Sequence, residues 1–437
     1  TIQDRQGEGQ ALGNKGEVLY NQGKYSEALP FHQQHLEITR EIKDKLGESQ
    51  ALMNLGRVYL ATGEPDRALV THQDSLAISI AIKDRLGEGQ ILSYMGDVHD
   101  FQGETETALE HYRQAEEIAV AIGDRFGEAD ALKKVANIQR RQGQYTDALA
   151  AYRKTRTIAE TIQDRKGFGE SLKGAGQVYT DQYKYDEARD NYRQALDILA
   201  ELEDRAGEGD MRLTIGRLYE TQGQYPAASE YYQEALAIHQ SIENRSGEAE
   251  SLKQVGSIYW KQSQYLEALG SYEEALAIFR EVGDRVGEGS TLNNIGLVYD
   301  NQGRYVEALS YYEESISNNR KVGNRAAEGA TLNNIGGIYK SQGQYENALD
   351  FLDQALDISR EVGDRVGEEI RLHNIGSIYL KQKQYEEALK YYNQSLSLLR
   401  ELGRRASEAP TLNDIGLVYG EQGNYVEALS YYEESLA

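Results

Sequence analysis

The chain repeats itself every 40 residues, without insertion, from its first residue to its last. Alanines at 28, 68, 108, 148, 188, 228, 268, 308, 348, 388 and 428 fix the register of eleven units. One array over 1–437 is therefore expected, with units 1–40, 41–80, 81–120, 121–160, 161–200, 201–240, 241–280, 281–320, 321–360, 361–400 and a truncated 401–437. A single unit of this length cannot cover its own apolar side. Tandem units can do so by stacking on their neighbours.

Each unit reads as two helices. The first starts near an Asp or Asn, as at Asp4, Asp44, Asp284 and Asn324, residues that satisfy the free N–H groups of a helix start. A basic residue follows in every unit, and Glu comes three residues later in ten of eleven, Phe168 being the exception. That spacing predicts an i,i+3 ion pair and a favourable helix dipole. In the eighth unit Leu292, Ile295, Gly296 and Tyr299 recur with helical period, and Val298 widens the stripe. Gly303 is placed to end the helix in a left-handed turn. The second helix runs from about Tyr305, with Ala308, Tyr312, Ser315 and Val322 on one face. Glycine at 16, 56, 96 and onward, replaced once by Ala136, and the invariant alanine mark points of close helix approach.

Whole-chain properties narrow the function. No apolar run reaches the roughly 18–20 residues that cross a bilayer. There are no cysteines, which excludes disulfides, thiolate metal sites and a Cys nucleophile and fits a cytoplasmic location. The net charge of −24 argues against nucleic acid and anionic membranes as partners. The seven histidines are scattered, and no carboxylate spacing completes a metal site around His32 and His35. No catalytic constellation, metal site or cofactor site is expected, and the chain is not expected to be an enzyme.

Leu292-x-x-Ile295-Gly296-x-x-Tyr299 followed by Ala308-x-x-x-Tyr312 resembles the tetratricopeptide repeat (TPR) signature. The likeness recurs through all eleven units. The terminal proline is missing and the period is 40, not 34, which resembles the extended repeats of LGN/Pins-type scaffolds and of bacterial arrays attached to CHAT-type signalling proteins. The resemblance implies an all-α fold, a right-handed superhelical solenoid of tandem αα-hairpins. It also implies a non-catalytic protein- or peptide-binding scaffold whose first helices line a concave groove.

On that groove would lie Ser290, Asn293, Asn294, Leu297, Asp300 and Asn301, and an asparagine ladder formed by Asn293, Asn294, Asn333, Asn334, Asn374 and Asn413. Amides of this kind both donate to and accept from an extended peptide. A basic stripe, Lys133, Lys134, Asn137, Arg140 and Arg141, continues through Lys173, Arg217, Lys253, Trp260 and Lys261. It suggests an acidic partner segment, with neutralisation by Asp97, Asp100, Asp181 and Glu220 as the competing reading. Met53, Leu60, Tyr94 and Phe101 form a more apolar zone. Glu116 and Arg156, 40 residues apart, are expected to pair across units. Two further readings of the function are a regulatory arm of a larger signalling enzyme and a self-assembling array, the latter through end-to-end association.

Overall fold

The computed structural model describes residues 2–436. Two compact units, Thr1–Leu218 and Tyr219–Ala437, divide the chain. The first contains α1 (Ile2–Asn21), α2 (Tyr25–Glu41), α3 (Lys45–Ala61), α4 (Pro65–Ile82) and α5 (Arg85–Phe101). After these come α6 (Thr105–Ile122), α7 (Arg125–Arg141), α8 (Tyr145–Thr161), α9 (Arg165–Asp181) and α10 (Tyr185–Glu201). Next are α11 (Arg205–Thr221), α12 (Tyr225–Ser241), α13 (Arg245–Lys261), α14 (Tyr265–Val282), α15 (Arg285–Asn301) and α16 (Tyr305–Lys321). The chain closes with α17 (Arg325–Ser341), α18 (Tyr345–Glu361), α19 (Arg365–Lys381), α20 (Tyr385–Glu401), α21 (Glu408–Glu421) and α22 (Tyr425–Leu436). There is no strand among the described residues.

Within each unit the helices pack as successive antiparallel hairpins, and second helices pack on the first helix of the next hairpin, as α2 does on α3 and α18 on α19. First helices also touch one another, as α3 does α5 and α15 does α17. The second helices make no comparable contact among themselves among the described residues. The first helices therefore form the closely spaced wall of each unit.

The helix starts follow from their caps. Asp44, Asp84, Asp124, Asp164, Asp204, Asn244, Asp284, Asn324 and Asp364 each accept a hydrogen bond from the backbone N–H three residues on, at 2.8–3.2 Å. In the first unit α1 already begins at Ile2, ahead of Asp4. In the last unit Arg404 stands in the cap position and cannot accept. There the chain makes a short 3-10 turn, Arg405–Ser407, and α21 starts late, at Glu408.

Among the described residues the predicted i,i+3 pairs form in nine units, not between Arg405 and Glu408, and in several a second cation joins them. Glu48 takes Lys45 at 2.7 Å and Arg40 of the preceding helix at 2.9 Å. Glu328 likewise takes Arg325 and, at 2.6 Å, Arg320. Such carboxylates tie α2, α14, α16, α18 and α20 to the next first helix. Gly303 ends α15 at φ 70°, whereas Tyr183, Ser263 and Lys383 adopt the same left-handed turn without glycine's freedom.

The core lies between the two helix layers. Tyr152, Tyr232, Tyr272, Tyr312 and Tyr392 are its largest fully buried side chains. Tyr272, Tyr312 and Tyr392 each face a residue without a side chain, and a Cβ on Gly296 would come within 2.5 Å of the Tyr312 ring; Tyr152, packed on Ala136, lies against Gly174 instead. Tyrosines one layer out stack across the hairpin, as Tyr299 does on Tyr311 at 5.4 Å between ring centres. Val322 falls outside the predicted face, since α16 ends at Lys321 and Val322 follows it, 39% exposed.

Ala308 is fully buried among Tyr312, Leu332 and Ile335. Ala308→Leu is expected to cost about 1–3 kcal/mol through overpacking. An unchanged urea midpoint would place this alanine outside the helix contact.

The expected Glu116–Arg156 pair is absent. Glu116 is bound by Lys154 at 2.9 Å, which also reaches Glu128 at 3.3 Å. The Arg156 guanidinium instead lies over the Phe168 ring, 5.9 Å from its centre. Lys154 sits between two carboxylates and so takes the stronger electrostatic position.

Candidate functional site

The face of the first helices turned away from the second helices follows a simple geometric rule. A polar side chain there meets the residues 37 and 41 positions away, in the neighbouring first helix. The two offsets differ by four residues, about one helical turn, so each side chain is flanked from above and below. Lys134 shows both contacts, donating to Ser93 Oγ at 2.9 Å and to Asp97 at 2.8 Å. Glu220 shows both as acceptor, from Lys261 at 3.0 Å and Ser257 at 3.3 Å.

The paired asparagines obey this rule. Asn334 Nδ2 donates to Asn293 Oδ1 at 3.1 Å, and Asn374 Nδ2 to Asn333 Oδ1 at 2.9 Å. The next rung is His373 with Asp414, at 3.4 Å, while His373 Nδ1 lies 3.2 Å from the Thr411 hydroxyl. Burial pushes the His373 pKa below its ordinary value, and Asp414 opposes that shift. The amides thus stitch successive hairpins together. Each rung uses one donor and one acceptor of groups that have two of each, and these side chains remain half-exposed. Asn294 and Asn413 make no such bond among the described residues, and Asn413 is exposed. In a double-mutant cycle on Asn293→Ala and Asn334→Ala, a coupling of about 0.5–1.5 kcal/mol is expected from urea unfolding. Strict additivity would break the rung.

The charges of the basic stripe are largely answered from within. Lys133 meets Glu170 at 2.6 Å and Asp130 at 3.3 Å. Arg140 meets Asp181 at 2.7 Å, and Arg141 is paired with Asp100. Lys253 binds Glu250 at 2.7 Å. Asn137 accepts the Tyr152 hydroxyl at 2.5 Å. Trp260 packs half-buried against the core around Ala268 and Tyr272. Lys173 is half-buried and Arg217 exposed on the same face. Asp97, Asp100, Asp181 and Glu220, the acids of the competing reading, hold Lys134, Arg141, Arg140 and Lys261. Lys133, Lys134, Arg140, Arg141 and Lys261 thus form ion-paired seams between neighbouring hairpins.

A further site lies in the first unit. A cavity of about 530 Å³ opens along α1, α3 and α5, with Met53 and Tyr94 in its wall. Its polar lining includes Gln10, Gln50 and Gln90, with Asn14 and Asn54 beside them. Arg57 crosses its floor, held by Glu17 at 2.9 Å beneath the Tyr20 ring. The glutamines recur 40 residues apart, a signal visible in the sequence but overlooked beside the asparagines. Phe101, in the expected apolar zone, is 61% exposed. His32 and His35 do not form a metal site: their rings lie against Gly16 and Gly13. No group of three potential metal ligands occurs among the described residues, and no helix among them is long and apolar enough to cross a membrane.

Tandem αα-hairpins with a glycine–tyrosine core and a first-helix wall define a helical-repeat scaffold. The tetratricopeptide repeat family matches residues 8–81, 87–161, 169–241, 247–321, 290–361, 327–401 and 368–437; the chain belongs to that family. Among solved structures it is similar to a Rap protein complexed with competence and sporulation factor, with 18% identity and a TM-score of 0.53. That match covers 82% of this chain and 99% of the other. The apo form of RapI matches at 19% identity and a TM-score of 0.48, over 61% of this chain and 95% of its own. BtubC from P. vanneervenii matches at 19% and 0.43, over 49% and 89%. At such identities the likeness speaks to the fold alone. No curated protein sequence matches the chain.

Proposed function

We propose that the chain is a non-catalytic scaffold whose first-helix wall binds an extended segment of a partner protein. The observation that carries this is the amide lining: Gln10, Gln50 and Gln90 in one unit, and Asn294 and Asn413 in the other, bear hydrogen-bonding groups that no neighbour engages among the described residues, on the closely set first-helix layer of each unit. Extended peptides offer the complementary row of N–H and C=O groups. Asn293, Asn333, Asn334 and Asn374 contribute their second donor or acceptor. The cations Lys133, Lys134, Arg140, Arg141, Lys253 and Lys261, with Asn137, Lys173, Arg217 and Trp260, contribute at the rims of their pairs. The Rap protein of the solved complex carries a bound factor, which fits this use of the fold.

Peptides selected against the protein from a random display library provide the test. Asn294→Trp with Asn334→Trp is expected to weaken the selected peptides at least tenfold. Glu313→Trp, on the exposed side of α16, is expected to leave them unchanged. Sensitivity to the α16 substitution alone would move the binding surface to the second helices.

A further inference from the structure

One site on the first-helix wall breaks the charge pattern of its counterparts. Asp100 pairs with Arg141, Arg140 with Asp181 and Glu220 with Lys261, each 41 residues apart. The same place 120 residues beyond Glu220 carries Lys340, and the residue 41 further on is Lys381. The flanking hydroxyl is kept as well: Ser257 lies 3.3 Å from Glu220, and Ser377 accepts from Lys340 Nζ at 2.7 Å. The Lys340 site is thus the Glu220 site with its anion exchanged for a cation. No carboxylate stands within ion-pair distance of Lys340 or Lys381 among the described residues. The one acid that acts on Lys340 is Asp414, which is engaged by His373 at 3.4 Å.

Two ammonium groups brought side by side repel each other, and both gain when an anion enters between them. Lys133, Lys134, Arg140, Arg141, Lys253 and Lys261 on the first helices are each matched by one of the chain's own carboxylates. Lys340 is half-buried and Lys381 exposed, so the pair has one anchored and one open member.

We propose that Lys340 and Lys381, with Ser377 between them, form a receptor for a carboxylate side chain of an acidic partner segment. The proposal rests on the peptide-binding reading above and assigns its acidic preference to α17 and α19, not to the ion-paired seam of α7. Its occupant is a Glu- or Asp-rich stretch, because the site offers two positive charges and a hydroxyl in a chain of net charge −24.

Fluorescent octaglutamate and octaglutamine are the probes, compared at 100 mM salt. The unaltered protein should favour octaglutamate by about tenfold, and Lys340→Gln with Lys381→Gln should abolish that preference. Lys321→Gln with Lys383→Gln removes the same net charge away from the wall and should preserve it. Equal loss in both pairs, or no preference for octaglutamate, overturns the proposal. Selected display peptides that still bind the wall in that case leave the broader reading standing. A ligand-free readout accompanies it: Lys381→Glu should restore the pairing and raise Tm by about 1–2 °C. A lower Tm would show that the two side chains do not face each other.

Discussion

Tyr312→Ala is expected to cost about 3–5 kcal/mol, the range for emptying a buried aromatic site, whereas Tyr312→Phe should change stability by less than about 1 kcal/mol. The ring is fully buried, seated on Gly296 and packed against Ala308, Ile316 and Leu332. Glycine opposite leaves no side chain able to collapse into the void, so the cavity term applies in full. The hydroxyl behaves differently. Its oxygen has no hydrogen-bond partner, and burial, aided by Asp300, raises its pKa far above the usual tyrosine value. Removing a buried hydroxyl that is unsatisfied forfeits nothing and relieves a desolvation penalty. Tyr152 gives the contrast, since its hydroxyl donates to Asn137 at 2.5 Å and Tyr152→Phe should cost about 1 kcal/mol. Urea unfolding of the three variants decides the matter. Equal costs for the two phenylalanine variants would mean that Tyr312 is hydrogen-bonded after all.

Acidification should destabilise the hairpins of α1–α4 selectively. His32 and His72 occupy the slot that holds tyrosine in most later repeats, are fully buried, and have no hydrogen-bond partner on either ring nitrogen. Burial lowers both pKa values to about 4, with the Arg57 charge adding to the shift at each. The unfolded chain takes up protons near pH 6.5, while the folded one resists until about pH 4. Stability is therefore fully present above pH 6.5 and falls as the pH drops through that window. The loss amounts to about 2 kcal/mol per histidine at pH 5 and about 3 kcal/mol once pH 4 is passed. His32→Tyr with His72→Tyr should remove it, because the tyrosine ring already fits against glycine elsewhere and Glu17 is placed as Asp97 is for the Tyr112 hydroxyl. Hydrogen exchange of the α2 and α4 amides at pH 7.5 and pH 5 reads the effect locally. Acid lability that persists in the double variant would assign it to other groups.

Much of the architecture was legible because it depends on contacts within one hairpin. Asp44 caps its own helix, Gly303 turns it, and Tyr312 rests on Gly296 only sixteen residues away. These are local relations, and the period exposes them directly. The wall was harder to read because its contacts run between hairpins at offsets of 37 and 41. The second helices show a similar stagger: the 40-residue offset sets Arg156 opposite Glu116, but it is Lys154, 38 residues away, that meets it. For Lys134 and Arg140 the sequence left open an acidic partner or neutralisation by acids such as Asp97 and Asp181, and those two acids meet them, one turn out of line. The stagger also hid Lys340 and Lys381, whose meaning emerges only beside the Glu220–Lys261 pair. Arg404, which replaces the usual Asp or Asn and offers no side-chain acceptor, accompanies the late start of α21 at Glu408.

The staggered rungs limit how such a protein can evolve or be rebuilt. Because the length of every module is the same, whole modules could be cut and spliced without disturbing the backbone. Their inner side chains are nonetheless written for specific neighbours. Transplanting the module with Lys134, Arg140 and Arg141 would strand its charges, and it would leave Asp97, Asp100 and Asp181 unmatched behind it. A shuffled chain would keep its shape and lose its seams, so the order of the modules is itself inherited information.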